Sequence, residues 1–158
     1  MDNRLKFQKS EKGQTMAEFA IVAAGLLLLI FAIINFGIAI YSYSMVSYAA
    51  NDAVRWASVR GATYTPPGSS TPTPAQASDI LNHVVAAMPT LTTSEAVANC
   101  PTDTTSGALE VCTQWQGGQN SVGMIVQVQV QYNLPLNIPF MSPIILPLSA
   151  YSQMSISQ

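Results

Sequence analysis

Charge is what this chain has least of. Asp, Glu, Lys and Arg make up only 9% of its 158 residues, where a soluble domain usually carries about 25%. Residues 62–158 contain no Lys or Arg at all. Phosphate neutralisation needs clustered cations, so this composition argues against a nucleic-acid partner. Histidine occurs once, as His83. Asp79 precedes it by four residues and would share its face on a helix, which allows an ion pair. A catalytic dyad would also need a nucleophile, and no G-x-S-x-G motif is present. Phosphate-loop and H-E-x-x-H motifs are missing too. One His and two separated Cys do not compose a zinc site. No catalytic residue, metal or cofactor is expected, and the chain reads as a non-enzyme.

Cysteine is confined to Cys100 and Cys112. The C-x-x-C spacing of redox enzymes is absent, which removes the case for oxidoreductase chemistry. Two thiols in an oxidising compartment usually pair, so a Cys100–Cys112 disulfide is expected. The bland alternative is two free buried thiols.

Against this scarcity stands one long apolar run, Phe19–Ile40, whose one clearly polar side chain is Asn35. At 1.5 Å per residue its length comes to about 33 Å, enough to cross a bilayer core of about 30 Å. Four of the six basic residues, Arg4, Lys6, Lys9 and Lys12, precede it. By the positive-inside rule the N-terminus stays in the cytoplasm and the rest is exported, which makes a single-pass membrane protein.

Residues 1–13 read as a disordered basic leader. A helix is expected from about Thr15, because Thr15-Met16-Ala17-Glu18 has the form of a capping box. It spans the membrane over about 19–40 and continues outside over 41–61. Tyr41, Tyr43 and Tyr48 suit the outer interface. Met45, Ala49, Asp52, Trp56 and Val59 form a stripe that is apolar apart from Asp52. Gly61 is placed to cap the end. Residues 62–75, rich in Pro, Ser and Thr, read as a loop or linker. Residues 76–158 then form a small exported domain. It opens on a short amphipathic helix over Ala75–Met88, stopped by Pro89. Residues 90–120 look irregular, with one helical turn near Glu95–Ala98.

The clearest strand is Ile125–Leu134, where Val126, Val128, Val130 and Tyr132 alternate with glutamines. Gly117-Gly118 suggests a turn to a partner strand near Leu109–Trp115, and Leu148–Ile156 is expected to pair as well. Pro135, Pro139, Pro143 and Pro147 lack the N–H a ladder needs, so the segment between reads as an extended or turning loop. Its apolar residues would form a lid over the sheet or a patch touching another subunit. The fold class is α+β: a long membrane helix, then an antiparallel sheet with one short helix.

A basic leader, then Gly13-Gln14-Thr15-Met16-Ala17-Glu18-Phe19, then a long apolar helix resembles the class III signal of type IV pilins. Ala49-Ala50-Asn51-Asp52-Ala53-Val54-Arg55-Trp56-Ala57, with Gly61 following, resembles TadE-like proteins, the minor pilins or pseudopilins of the tight adherence pilus system. The resemblance implies that a prepilin peptidase cuts between Gly13 and Gln14. It implies that Glu18, fifth in the mature chain and followed by the aromatic Phe19, pairs with the new amine of a neighbouring subunit. Ala20 and Ala24 form a small-x-x-x-small pair that permits close helix packing, the bland reading being ordinary alanine usage. The implied partners are lipid, the peptidase, other pilin subunits and the assembly machinery, in a homo- or hetero-oligomer. The alternatives are an unprocessed single-pass envelope scaffold and a membrane-anchored enzyme. The bland reading of Glu18 is a helix cap facing the positive end of the macrodipole.

Overall fold

A computed structural model describes residues 11–91, 95–98, 100, 105–138 and 142–157. Most of the expected leader, including Arg4, Lys6 and Lys9, lies outside the described residues, as do Pro139 and Phe140 of the proline-rich segment.

The first element, α1, runs unbroken over Glu11–Ser58, 48 residues. Its start corrects one expectation. The helix is already formed at Glu11, so Thr15 stands a turn inside it and does not cap it. Asn35, the polar exception in the apolar run, donates its Nδ2 hydrogen to Phe31 O at 2.9 Å on its own helix. That bond occupies one of the amide's N–H groups without any partner element, which suits a helix surrounded by lipid. The other end also differs. Arg60 N donates to Ala57 O in a closing turn, and Ser58 Oγ donates to Arg55 O. Gly61 lies beyond this turn and takes no positive φ.

The two halves of α1 have opposite surroundings. Over residues 14–41 no side chain is fully buried. From Ser42 on, one side closes against the small domain that follows α1. Ser42, Val46, Ala49, Ala50, Ala53, Val54, Ala57 and Ser58 are all buried. The three- and four-residue spacing is helical, but the face is rotated from the expected stripe. Met45, Asp52 and Trp56 sit at its border and Val59 is exposed. The cause is side-chain size: four alanines let the helix backbone approach the sheet closely, and a bulkier row could not.

The sheet has order β1-β2-β3-β4, with β1 Glu95–Val97, β2 Ala108–Trp115, β3 Ile125–Leu136 and β4 Ile144–Ser155. β2, β3 and β4 are antiparallel neighbours, so the α+β class with an antiparallel sheet holds. β1 pairs parallel with β2, and it replaces the expected helical turn at Glu95–Ala98. Three residues are too few to show a period, and here the neighbouring strand decides the conformation. The expected β2–β3 reversal is present, with Gly117 and Gly118 at φ 77° and 71°, a region that favours glycine. Alternation in β3 works as read: Val126, Val128, Val130 and Tyr132 are buried, and Gln127, Gln129 and Gln131 are half-buried on the other face.

The proline-rich segment is the largest departure. β3 and β4 continue through Pro135 and Pro147, with Leu136 paired to Ile144. Two conditions make this tolerable. β4 is an edge strand, and β2 ends its pairing with β3 at Tyr132, so both prolines have an open side where a missing N–H breaks no ladder.

α2 covers Ala77–Ala87, within the expected limits. Gln76 N donates to Asp79 Oδ2 at 3.0 Å, which caps its first turn. Ile80 and Val84 are buried against the shared core. The segment between the helices closes on itself, since Ala75 N donates to Arg60 O at 3.0 Å, and Ala62 N, donating to Asn120 O at 2.6 Å, ties it to the β2–β3 connection. Cys100 and Cys112 are joined in a disulfide that ties the chain after β1 to β2. A loop of this length stabilises a fold by about 3 kcal/mol in the chain-entropy model.

Candidate functional site

The residues singled out near the N-terminus sit on bare helix. Gly13 and Gln14 lie within α1. Gln14, Glu18, Phe19, Ala20 and Ala24 are exposed, Phe19 at 73%. Among the described residues no partner for the Glu18 carboxylate is found in this chain. Helical geometry separates these residues. At about 100° per residue, Ala20 and Ala24 lie roughly 120–160° around the helix from Glu18. They therefore belong to two different surfaces, and one neighbouring helix cannot cover both. Gly25 lies close to the Glu18 azimuth, and a Cβ there would meet nothing within 4 Å.

A second cluster joins the outer half of α1 to α2. Asp52, Trp56 and Arg60 recur every four residues and point one way. His83 Nε2 lies 2.7 Å from Asp52 Oδ2. The His83 ring stacks on Trp56, with centroids 5.1 Å apart and planes 22° apart. The Arg60 guanidinium stands 4.1 Å over the Trp56 ring and 5.2 Å from that of Tyr64. This corrects the expected His83–Asp79 pair. Asp79 is occupied with the α2 cap, and His83 reaches across to α1 instead. Sequence reasoning missed the contact, although one signal was available: an acid interrupting an apolar stripe asks for a partner. His83 and Asp52 keep 29% and 37% of their side-chain surface, so the pair is partly screened. A double-mutant cycle with Asp52→Asn and His83→Gln should give a coupling of about 0.5–1 kcal/mol in thermal unfolding. A coupling of zero would mean that the contact only fills space.

Deeper in the domain, burial pushes the Tyr132 phenol up from its ordinary value, which keeps it neutral in the core. Among the described residues no group of three or more His, Cys, Asp or Glu could hold a metal ion.

α1 is the one helix long and apolar enough to cross a membrane among the described residues, which marks a membrane-anchored protein. Residues 13–55 match the family model described as TadE-like protein. The chain carries a TadE-like segment. The match begins at Gly13 and ends three residues before α1 does, so it takes in the bare half of the helix and most of the half packed on the sheet. A TadE-like segment is consistent with a pilin-like protein of the tight adherence, or Tad, pilus system. α2 and the four strands lie outside the matched region. No curated protein and no solved structure matches the chain.

Proposed function

We propose that this chain is a minor pilin or pseudopilin of a Tad pilus, cut by a prepilin peptidase between Gly13 and Gln14. The carrying observation is the TadE-like match, which starts at that glycine and continues through the membrane run. The basic residues before the run favour a cytoplasmic N-terminus, where the peptidase would act, and an inner-membrane location. The scissile bond lies in the first turns of α1, so the peptidase must unwind the helix there. Glycine eases this, being about 1 kcal/mol poorer than Ala in a helix.

Cutting would leave a new amine on Gln14, one turn from Glu18. In this reading the Glu18 carboxylate meets the amine of a neighbouring subunit in a poorly screened site and sets the register of assembly. Ala20 and Ala24, on another side of the helix, would pack against a different neighbour. The 97 residues beyond Gly61 (158 minus 61) suit a minor or priming subunit better than a bulk fibre subunit. The domain would meet other pilus components, with no catalytic or cofactor role.

The experiment is N-terminal sequencing of the membrane-bound protein beside an immunoblot of Gly13→Leu. Wild type should begin at Gln14, and the variant should run larger by the uncut leader. Met1 retained in assembled wild-type material would replace this reading with an unprocessed single-pass scaffold.

A further inference from the structure

The β3–β4 hairpin ends beside the membrane helix, at the level where that helix leaves the bilayer. Two contacts fix the alignment. Ser152 of β4 donates its Oγ hydrogen to Asn51 Oδ1 at 2.8 Å, and Ser152 pairs with Val128. Further along, Leu134 and Pro135 border the same apolar cavity, of about 410 Å³, as Ile38 and Tyr41. The spacings agree. Val128 to Leu134 is about 20 Å of strand at 3.3 Å per residue, and Asn51 to Ile38 is about 20 Å of helix at 1.5 Å per residue. β3 therefore runs back down α1 toward the bilayer. Leu136 and Ile144, the last paired residues, lie about 7 Å beyond Leu134, level with the helix near Ile33 and Ile34. Those positions are inside the apolar run Phe19–Ile40.

The composition of the hairpin end suits that depth. No charged residue follows Glu110 anywhere in the chain. Ile144 and Ile145 are 41% and 40% exposed, and no element among the described residues covers them. Pro135 and Pro147 each remove a backbone N–H that would be costly to strip of water. β4 still carries other unpaired backbone groups along its open edge, and these cannot be left in hydrocarbon. The boundary between headgroups and acyl chains satisfies both demands.

We infer that the paired end of the β3–β4 hairpin, carrying Leu136, Ile144 and Ile145, is a second membrane contact, seated in the outer interface of the bilayer that α1 crosses. The occupant is lipid, because continuity with the spanning helix places the patch at lipid height in a single copy of the chain. The domain then rests on the membrane and does not stand clear of it.

The test uses the full chain in phosphatidylcholine nanodiscs holding one copy each, with some lipids spin-labelled near the headgroup. Ile144→Trp adds a reporter at the hairpin end, and Ile145→Trp repeats it should the first variant misfold. Val122→Trp, 56% exposed at the far end of the sheet, is the control. With the Trp56 and Trp115 background subtracted, the hairpin reporter should be quenched roughly twofold, the effect of a ring seated some 5–10 Å into the boundary, and the control should not respond. An unquenched, water-like reporter at both hairpin positions overturns the inference. So does shielding that appears only with two copies per disc, which would mark the patch as a contact between subunits. Neither result depends on peptidase cleavage, so the membrane contact and the pilin reading stand or fall separately.

Discussion

Glu18→Ala should leave the protein inserted, processed and folded, and lower surface pilus assembly by about tenfold. The selectivity follows from what the side chain touches. Glu18 is exposed on α1, outside the core that holds the domain, and Ala is the better helix former. Among the described residues nothing in the folded monomer depends on it. Its cost lies elsewhere. A carboxylate at the edge of the apolar run carries a penalty of up to about 2.5–3.5 kcal/mol at full membrane depth unless a cation meets it. In the proposed assembly the neighbour's amine is that cation. Losing about 1.4 kcal/mol per addition step is a factor of ten in the association constant. Sheared-surface and membrane fractions, immunoblotted side by side, give the answer. Glu18→Gln should fail in the same way, since it keeps the shape and loses the charge. Wild-type amounts of surface pili in both variants would sink the pairing role.

Ala53→Leu should have the largest effect on stability. Ala53 is fully buried where α1 meets the sheet, on a face that includes Ala49, Ala50 and Ala57. The core beneath it includes Val126, Val128 and Val130. Three extra carbons there must push the helix outward or force side chains off their rotamers, at about 2–3 kcal/mol. The transition followed through Trp56 and Trp115 fluorescence in detergent should fall by roughly 10 °C. Arg55→Ala, on the exposed side of the same turn, should move it little. Insertion through residues 19–40 should persist in both variants. An unchanged transition in Ala53→Leu would mean that α1 is not firmly seated on the sheet.

The elements legible in the sequence were those whose patterns are long. The apolar run of α1 and the two-residue alternation of β3 each repeat often enough to outweigh local noise, and Gly117-Gly118 marked the reversal between β2 and β3. What escaped was decided by tertiary partners. Glu95–Val97 is strand because β2 lies beside it. Pro135 and Pro147 look like strand breakers until it is known that each has an unpaired side. The buried face of α1 was misplaced because alanine carries little hydrophobic signal, yet alanine is what permits the close approach. His83 met Asp52 and not Asp79 because a cap had already claimed the nearer acid. The disulfide pair needed only the count of two. Of the proposed site, Gly13, Gln14 and Glu18 could be named from sequence, but their separation from Ala20 and Ala24 around the helix emerges only from helical geometry.

The missing joint between the apolar half of α1 and the domain has a mechanical outcome. α1 runs unbroken from its apolar half into the protein core, and the loop after it folds back without acting as a tether. Pulling or twisting the rod from its N-terminal half therefore moves the sheet with it. A force applied to that half of the helix would reach the far end of the domain without slack.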